Sequence, residues 1–320
     1  MKILVTGSAG FIGFSVSKFF SERKIKVIGI DNLDDYYSTI YKKKRISLLN
    51  KHKNFKFIKV DISDKKKLFS KLKNEKISHI FHFAAQAGVR YSLLRPEKYI
   101  KTNLLGFDNI IQIGKSKKIR KLIYASSSSV YGDNKKYPLK ENSFLNPKNI
   151  YGMSKKYNEE IAEFYSKLYN IEMIGLRLFT VFGEWGRPDM LINKYLSCSY
   201  KNKIFELNNN GNHFRDFTYI GDLVKIIYKL YTLKIKSNHE IFNICSGKSK
   251  KITLVIKFFN NVLEKPKIIL KPLQNADIIK THGSNIKLKK KIKNIKFTNF
   301  FLALDRTNNW FRKNNIKKYF

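Results

Sequence analysis

Only two cysteines stand in the 320 residues, Cys198 and Cys245. They lie too far apart for a metal-ligand spacing, which excludes a disulfide framework or a zinc site as the organiser of this chain. Prolines number six, and no apolar run approaches the ~20 residues that a membrane-spanning helix needs. Neither a secretory leader nor a membrane anchor is expected, and the cytoplasm is the expected compartment. Acidic residues are also few, 24 against 64 basic ones, for a formal net charge of +40. Such a balance ordinarily points to nucleic acid or an anionic membrane. Here only ten of the 64 are arginine, and the lysines are spread through nearly every segment. Arginine clusters and aromatic stacking platforms, the marks of a nucleic-acid groove, are missing. A solvated lysine-rich surface is therefore expected ahead of a polyanion-binding face, with neither nucleic acid nor membrane as partner. Its field still favours small anionic ligands.

Against these scarcities stands 43% hydrophobic content, enough for a sizeable core and too much for a disordered chain. Short apolar, β-branched runs at Lys2–Thr6, Lys26–Ile30, Lys56–Val60, His79–Ala84, Lys121–Ser126 and Glu172–Leu178 predict strands. Helical periods over Phe11–Arg23, Lys98–Ser116 and Tyr151–Tyr169 fall between them. This alternation predicts an α/β fold, a doubly wound parallel sheet covered on both faces. After Phe179 the regularity fades, which predicts a smaller C-terminal lobe over the carboxyl edge of the sheet. The expected division places 1–178 in the main domain, with 216–244 returning to it, and 179–215 with 245–320 in the lobe. The lysine-rich stretch Lys287–Lys296 reads as an exposed helix or loop.

The strongest local signal follows the first strand. Gly7, Gly10 and Gly13 form a GxxGxxG turn between a strand and a helix, where glycines let backbone approach a pyrophosphate and the helix N-terminus faces its charge. The other reading of the three glycines is a packing turn. Asp31 ends the second strand, where a carboxylate accepts from ribose hydroxyls and repels a 2′-phosphate, favouring NAD over NADP. A plain turn role beside Asn32 is the alternative. Further on, Tyr151 and Lys155 form a YxxxK pair on one helix face, preceded by the serine-ended strand Ser126–Ser129. A phenol of ordinary pKa about 10 is a poor base at neutral pH, and a nearby ammonium lowers it. By itself such a pair is equally at home on a surface.

Together with Phe83, Ala84, Ala85, Asn103 and Ser127, these residues resemble the extended short-chain dehydrogenase/reductases, and among them the nucleotide-sugar epimerases. Three longer strings, Ala84–Ser92, Thr180–Met190 and Arg215–Ile220, are similar to UDP-glucuronate 4-epimerases. The resemblance runs from residue 1 to about 245 and more weakly beyond. It implies a Rossmann-like fold with a UDP-sugar lobe, NAD as cofactor, and a hydride shuttle through C4. Tyr151 would take the 4-hydroxyl proton, Ser127 would bind the 4-oxygen, and Lys155 would hold the nicotinamide ribose. Gly7, Gly10, Phe11, Ile12, Gly13, Asp31, Asn32, Asp61, Ile62, Phe83, Ala84, Ala85, Asn103, Tyr151 and Lys155 would form the cofactor site. Arg90, Ser127, Ser128, Thr180, Arg187 and Arg215 would bind the UDP-sugar, with Arg215 on the phosphates. An ion pair with Asp216 bracing the lobe is the other reading of Arg215.

Related 4,6-dehydratases carry Asp-Glu after the catalytic hydroxyl residue, and related decarboxylases a Glu in that strand end; here Ser128 and Ser129 stand there. Neither serves elimination at C5. The departures from the family pattern are Phe182, Glu184, Gly221 and the distal loop Gln274-Asn275-Ala276-Asp277, none of them at the reacting centre. The rival readings are 4-epimerisation of UDP-glucose or UDP-N-acetylglucosamine, and a non-enzymatic NAD-binding or polyanion-binding protein. By the same resemblance, the helices Lys98–Ser116 and Tyr151–Tyr169 would pair subunits in a homodimer.

Overall fold

The computed structural model describes residues 2–235, 237–274 and 277–319; Asn275 and Ala276 of the distal loop lie outside them. Strands β1 (Lys2–Thr6), β2 (Val27–Asp31), β3 (Phe55–Lys59), β4 (Ile77–His82), β5 (Lys121–Ser127) and β6 (Glu172–Leu178) occupy the six predicted segments with small shifts at the ends. With β10 (His239–Ile244) they form one seven-stranded sheet, ordered β3-β2-β1-β4-β5-β6-β10 and parallel throughout. Parallel strands need crossovers, and helices supply them on both faces. Phe11–Glu22 and Ile220–Thr232 bury Phe14, Phe20, Leu223 and Ile227 on one face. Lys65–Leu72, Gly106–Ser116 and Ile150–Tyr169 bury Leu68, Phe107, Ile110 and Ala162 on the other. The strand order reverses between β1 and β4, and the crevice outside their carboxyl ends is where such sheets bind ligands.

Two local differences from the sequence reading bear on the site. Strand β4 stops at His82: the Phe83 amide is shared between the Thr6 carbonyl and hydroxyl at 3.3 and 3.1 Å, and the Ala84 amide donates to that hydroxyl alone at 3.0 Å. The expected helix Lys98–Ser116 is interrupted: a short α-helix ends at Tyr99, Ile100–Leu105 is a wider π turn, and the α-helix resumes at Gly106. The extra width of the π turn carries Asn103 inward toward the loop after β4.

The lobe holds two small sheets. β7 (Thr180–Phe182), β9 (Phe214–Tyr219) and β11 (Ser249–Lys251) form the first; β8 (Phe205–Asn208) and β12 (Ile268–Lys271) form the second. Residues 216–219 therefore stay with the lobe sheet, and the chain returns to the main sheet from the helix Ile220–Thr232 onward. Within Lys287–Lys296, Ile286–Lys291 is a short helix whose Leu288 is buried, so that segment is not wholly exposed. Cys198 and Cys245 are both buried and free, and among the described residues no helix is long and apolar enough to cross a membrane.

Candidate active site

The glycine turn is shaped by close approach. At Gly7, with φ +70°, a Cβ would lie 2.7 Å from the Ala84 nitrogen; at Gly13 it would lie 2.1 Å from the Gly7 carbonyl oxygen. A side chain at Gly7 would part the loops after β1 and β4, and one at Gly13 would push the following helix off the turn. The helix Phe11–Glu22 follows Gly10 with no side-chain cap, so its first-turn N–H groups face the crevice, as an anion requires.

Asp31, the last residue of β2, accepts from the Ala9 amide at 3.0 Å and the Leu33 amide at 2.8 Å. Burial pushes its pKa up, while these amides and the Lys42 and Arg45 charges draw it down. Lys42 is a residue the sequence reading missed. It lies within the KKK run of the helix Thr39–Leu49, where nothing marks it among the other lysines, yet it is buried and lines the cleft beside Asp31.

One cleft gathers Gly7, Gly10, Phe11, Ile12, Gly13, Asp31, Asn32, Ile62, Phe83, Ala84 and Ala85 together with Ser127, Tyr151 and Lys155. Two expected cofactor residues stand behind its wall. Asp61 accepts from Asn32 at 3.0 Å and from the Ser63 amide and hydroxyl at 2.8 and 2.7 Å. Burial works against the Asp61 charge, but these bonds outweigh it and lower its pKa. Asn103 is buried, exchanging bonds with the Gln86 backbone at 2.8 and 3.1 Å and donating to Ser154 at 2.9 Å. Both hold wall residues in place.

Tyr151 and Lys155 share one face of the helix Ile150–Tyr169, whose start is capped by Asn149 accepting from the Gly152 amide. Burial raises the Tyr151 pKa, and the Ser127 hydroxyl and the Arg187 charge oppose it. The Lys155 ammonium donates to the Ala125 carbonyl at 2.9 Å. The charge that opposes burial at the phenol is that of Arg187, a part the sequence reading gave to Lys155. Burial lowers Lys155 to about 8, with Glu159 opposing. Glu159 is itself held by Arg177 through two contacts of 2.9 and 2.8 Å, and it accepts from Ser126 at 2.5 Å. Ser127 exchanges bonds with Ser129 at 3.1 Å, whereas Ser128 lines neither this cleft nor the next.

A second cleft opens into the lobe and carries Arg90, Thr180, Arg187 and Arg215. Arg187, Tyr36 and Met190 line both clefts and form the wall between them. Asp277, which the sequence reading named within the distal loop but gave no role, holds one of these cations: Arg90 donates to both its oxygens at 3.1 and 2.8 Å. Arg215 donates to the Phe214 and Ile279 carbonyls at 2.9 and 3.0 Å, and burial lowers its pKa to about 10. It does not pair with Asp216. Alternation along β9 sends Asp216 to the other side, where it accepts from the Ser246, Gly247 and Gly283 amides at 2.8, 3.1 and 3.2 Å. Asp216 braces the lobe without Arg215.

Residues 3–245 match the model of the NAD dependent epimerase/dehydratase family. An uncharacterized protein of Methanocaldococcus jannaschii is 43% identical over 98% of this chain and 96% of its own length. A probable UDP-glucuronate 4-epimerase of Rhizobium meliloti is 32% identical over 89% of each chain. Among solved structures, the UDP-glucuronic acid 4-epimerase of Bacillus cereus, in complex with UDP-glucuronic acid and NAD, superposes with a TM-score of 0.87 at 26% identity, covering 98% of this chain and 99% of that one. A glycine turn at the sheet's switch point, a carboxylate ending β2, and a match over most of the chain agree: the chain belongs to the NAD dependent epimerase/dehydratase family.

Proposed function

We propose that this protein is an NAD-dependent 4-epimerase of UDP-sugars that interconverts UDP-glucuronate and UDP-galacturonate. The observation that carries the substrate assignment is the place of Arg187, in the wall between the Tyr151 cleft and the cleft of Arg90 and Arg215. A nucleotide sugar with its phosphates toward Arg215 and its ring toward Tyr151 passes that wall. Two guanidinium nitrogens of Arg187 engage Asp189, and Nη1 takes no part in that pair. A uronate carboxylate there finds a charge-assisted donor that a neutral hydroxymethyl group would not use. The names of relatives and of the Bacillus cereus structure support the same assignment.

NAD held by the glycine turn, Asp31 and Lys155 would supply a hydride acceptor and donor for the sugar C4. This chain's residues do the rest. The Tyr151 oxygen takes the 4-hydroxyl proton and gives it back. Ser127 binds the 4-oxygen, and Lys155 binds the cofactor ribose. Thr180, which lines the second cleft, holds the carboxylate of the β-keto intermediate away from the geometry of decarboxylation; Ser128, expected to share this part, lines neither cleft. Asp31 and Lys42 bind the adenosine ribose, and the open amides after Gly10 receive the pyrophosphate. Residues 1–178 with 220–244 serve the cofactor, and 179–219 with 245–320 serve the UDP-sugar.

The protein acts as a homodimer. The helix Ile150–Tyr169 exposes Met153, Tyr157, Phe164 and Leu168 at helical spacing, beside Ile100 and Leu105. A contiguous apolar stripe of this kind marks an interface.

The deciding experiment is NMR product analysis with UDP-glucuronate, UDP-glucose and UDP-N-acetylglucosamine. UDP-galacturonate from the first, at far higher kcat/KM than turnover of the others, is the expected result. A dominant UDP-pentose product, or preferred turnover of a neutral sugar, would overturn the assignment.

A further inference from the structure

We propose that Arg45 is a positioning residue: its buried guanidinium fastens the cofactor turn to the loop that carries Arg187, so that cofactor and nucleotide sugar favour each other's binding. The inference rests on the function proposed above and adds a residue outside the reacting centre.

Arg45 sits on the helix Thr39–Leu49 and is fully buried, with 0% exposure. Buried cations are ordinarily matched by a carboxylate in contact, yet among the described residues no carboxylate lies within salt-bridge distance of this one. Oxygens of the glycine turn, the Tyr37 segment and the Arg187 loop accept from its two terminal nitrogens instead, while its buried Nε has no partner among the described residues. Nη1 donates to the Ala9 carbonyl at 2.8 Å and the Tyr37 hydroxyl at 2.6 Å. Nη2 donates to the Trp185 carbonyl and to the Gly186 carbonyl at 3.3 Å. The guanidinium lies 4.3 Å above the centre of the Tyr41 ring, which also stacks on Trp185 at 5.3 Å.

These acceptors belong to different parts of the site. Ala9 lies within the glycine turn, and its amide donates to Asp31. Trp185 and Gly186 immediately precede Arg187. The planar fork of arginine engages carbonyls of both loops at once, which a lysine point charge does not reproduce. Separating the loops would strand donors of a buried cation, a costly state. A ligand that orders either loop thus spares its counterpart part of the ordering cost, which is positive coupling without a large movement.

The test is retention of NAD by the holoenzyme in equilibrium dialysis, with and without UDP. In the wild type, UDP lowers the NAD dissociation constant by about fivefold or more, the lower end of ordinary coupling. Arg45→Lys and Arg45→Met bring that factor to near one and raise KM for UDP-glucuronate with little change in the pH dependence of kcat. Tyr37→Phe, which leaves the guanidinium in place, gives an intermediate factor and serves if the Arg45 variants fail to fold. A wild-type factor of one overturns the proposal. So does an undiminished factor in the folded variants, whatever their thermal stability. Product analysis of the wild type is independent of this readout, so the functional reading and the role of Arg45 fail separately.

Discussion

Arg187 and Asp189 lie two residues apart and grip each other twice, Nε to Oδ1 at 3.0 Å and Nη2 to Oδ2 at 2.6 Å. Burial works against the Arg187 charge, but Asp189 outweighs it and raises the pKa, while the Tyr36 hydroxyl donates to the same carboxylate at 3.1 Å. The cation in the wall between the clefts is therefore fixed in position and in charge. Arg187→Gln should raise KM for UDP-glucuronate by about 10- to 100-fold, the value of a charge-assisted hydrogen bond, with a far smaller effect on UDP-glucose. Steady-state kinetics on both substrates check it.

The same substitution has a consequence for pH. Arg187 lowers the Tyr151 pKa against the upward push of burial, and a base works only when deprotonated. Removing the cation raises that pKa, so the ascending limb of the kcat profile moves to higher pH. An unmoved limb in Arg187→Gln would mean that the phenol does not feel this charge.

Tyr151→Phe retains the ring and removes the oxygen proposed to accept the 4-hydroxyl proton. Loss of a positioned base costs about 100- to 10,000-fold in rate, and kcat should fall accordingly while calorimetric affinity for UDP-glucuronate stays close to wild type. Full turnover by this variant is the result that contradicts the assigned base.

Lys155 is lowered to about 8 from its ordinary 10.5 by burial. The unfolded chain binds that proton more readily, so folding carries the full penalty below pH 8 and sheds it as pH rises toward 10.5. Lys155→Met should be more stable than wild type at pH 7, by up to about 3 kcal/mol, with the two curves converging in the alkaline range. Urea denaturation across pH measures the difference. Comparing the pair cancels the many exposed lysines.

Phe164 and Leu168 are 61% and 59% exposed on a single helix. Replacing both with aspartate leaves the monomer's core untouched and places charge in the proposed interface. Sedimentation velocity should report a shift from dimer to monomer in the double variant, with circular dichroism unchanged. An equal mass for both proteins would remove the dimer.

The alternation of apolar runs and helical periods located six of the seven strands of the parallel sheet, because a strand buried on both faces is largely apolar and its crossover amphipathic; β10, with His239, Glu240 and Asn243 among its six residues, lacked that pattern. Gly7, Gly10 and Gly13 were legible for a related reason: a backbone that has no room for Cβ leaves its mark directly in the sequence. Chain order cannot carry the rest. Lys42 is one lysine in a run of three, and only packing of the helix Thr39–Leu49 against the cleft buries it beside Asp31. Asp277 meets Arg90 at 2.8 Å across 187 residues of chain, and Arg45 reaches Ala9 on one side and Trp185 on the other. Which lysine holds a site, which cation faces Tyr151 and which carboxylate holds Arg90 were decided by tertiary structure, since burial and opposite charge select partners by distance in space.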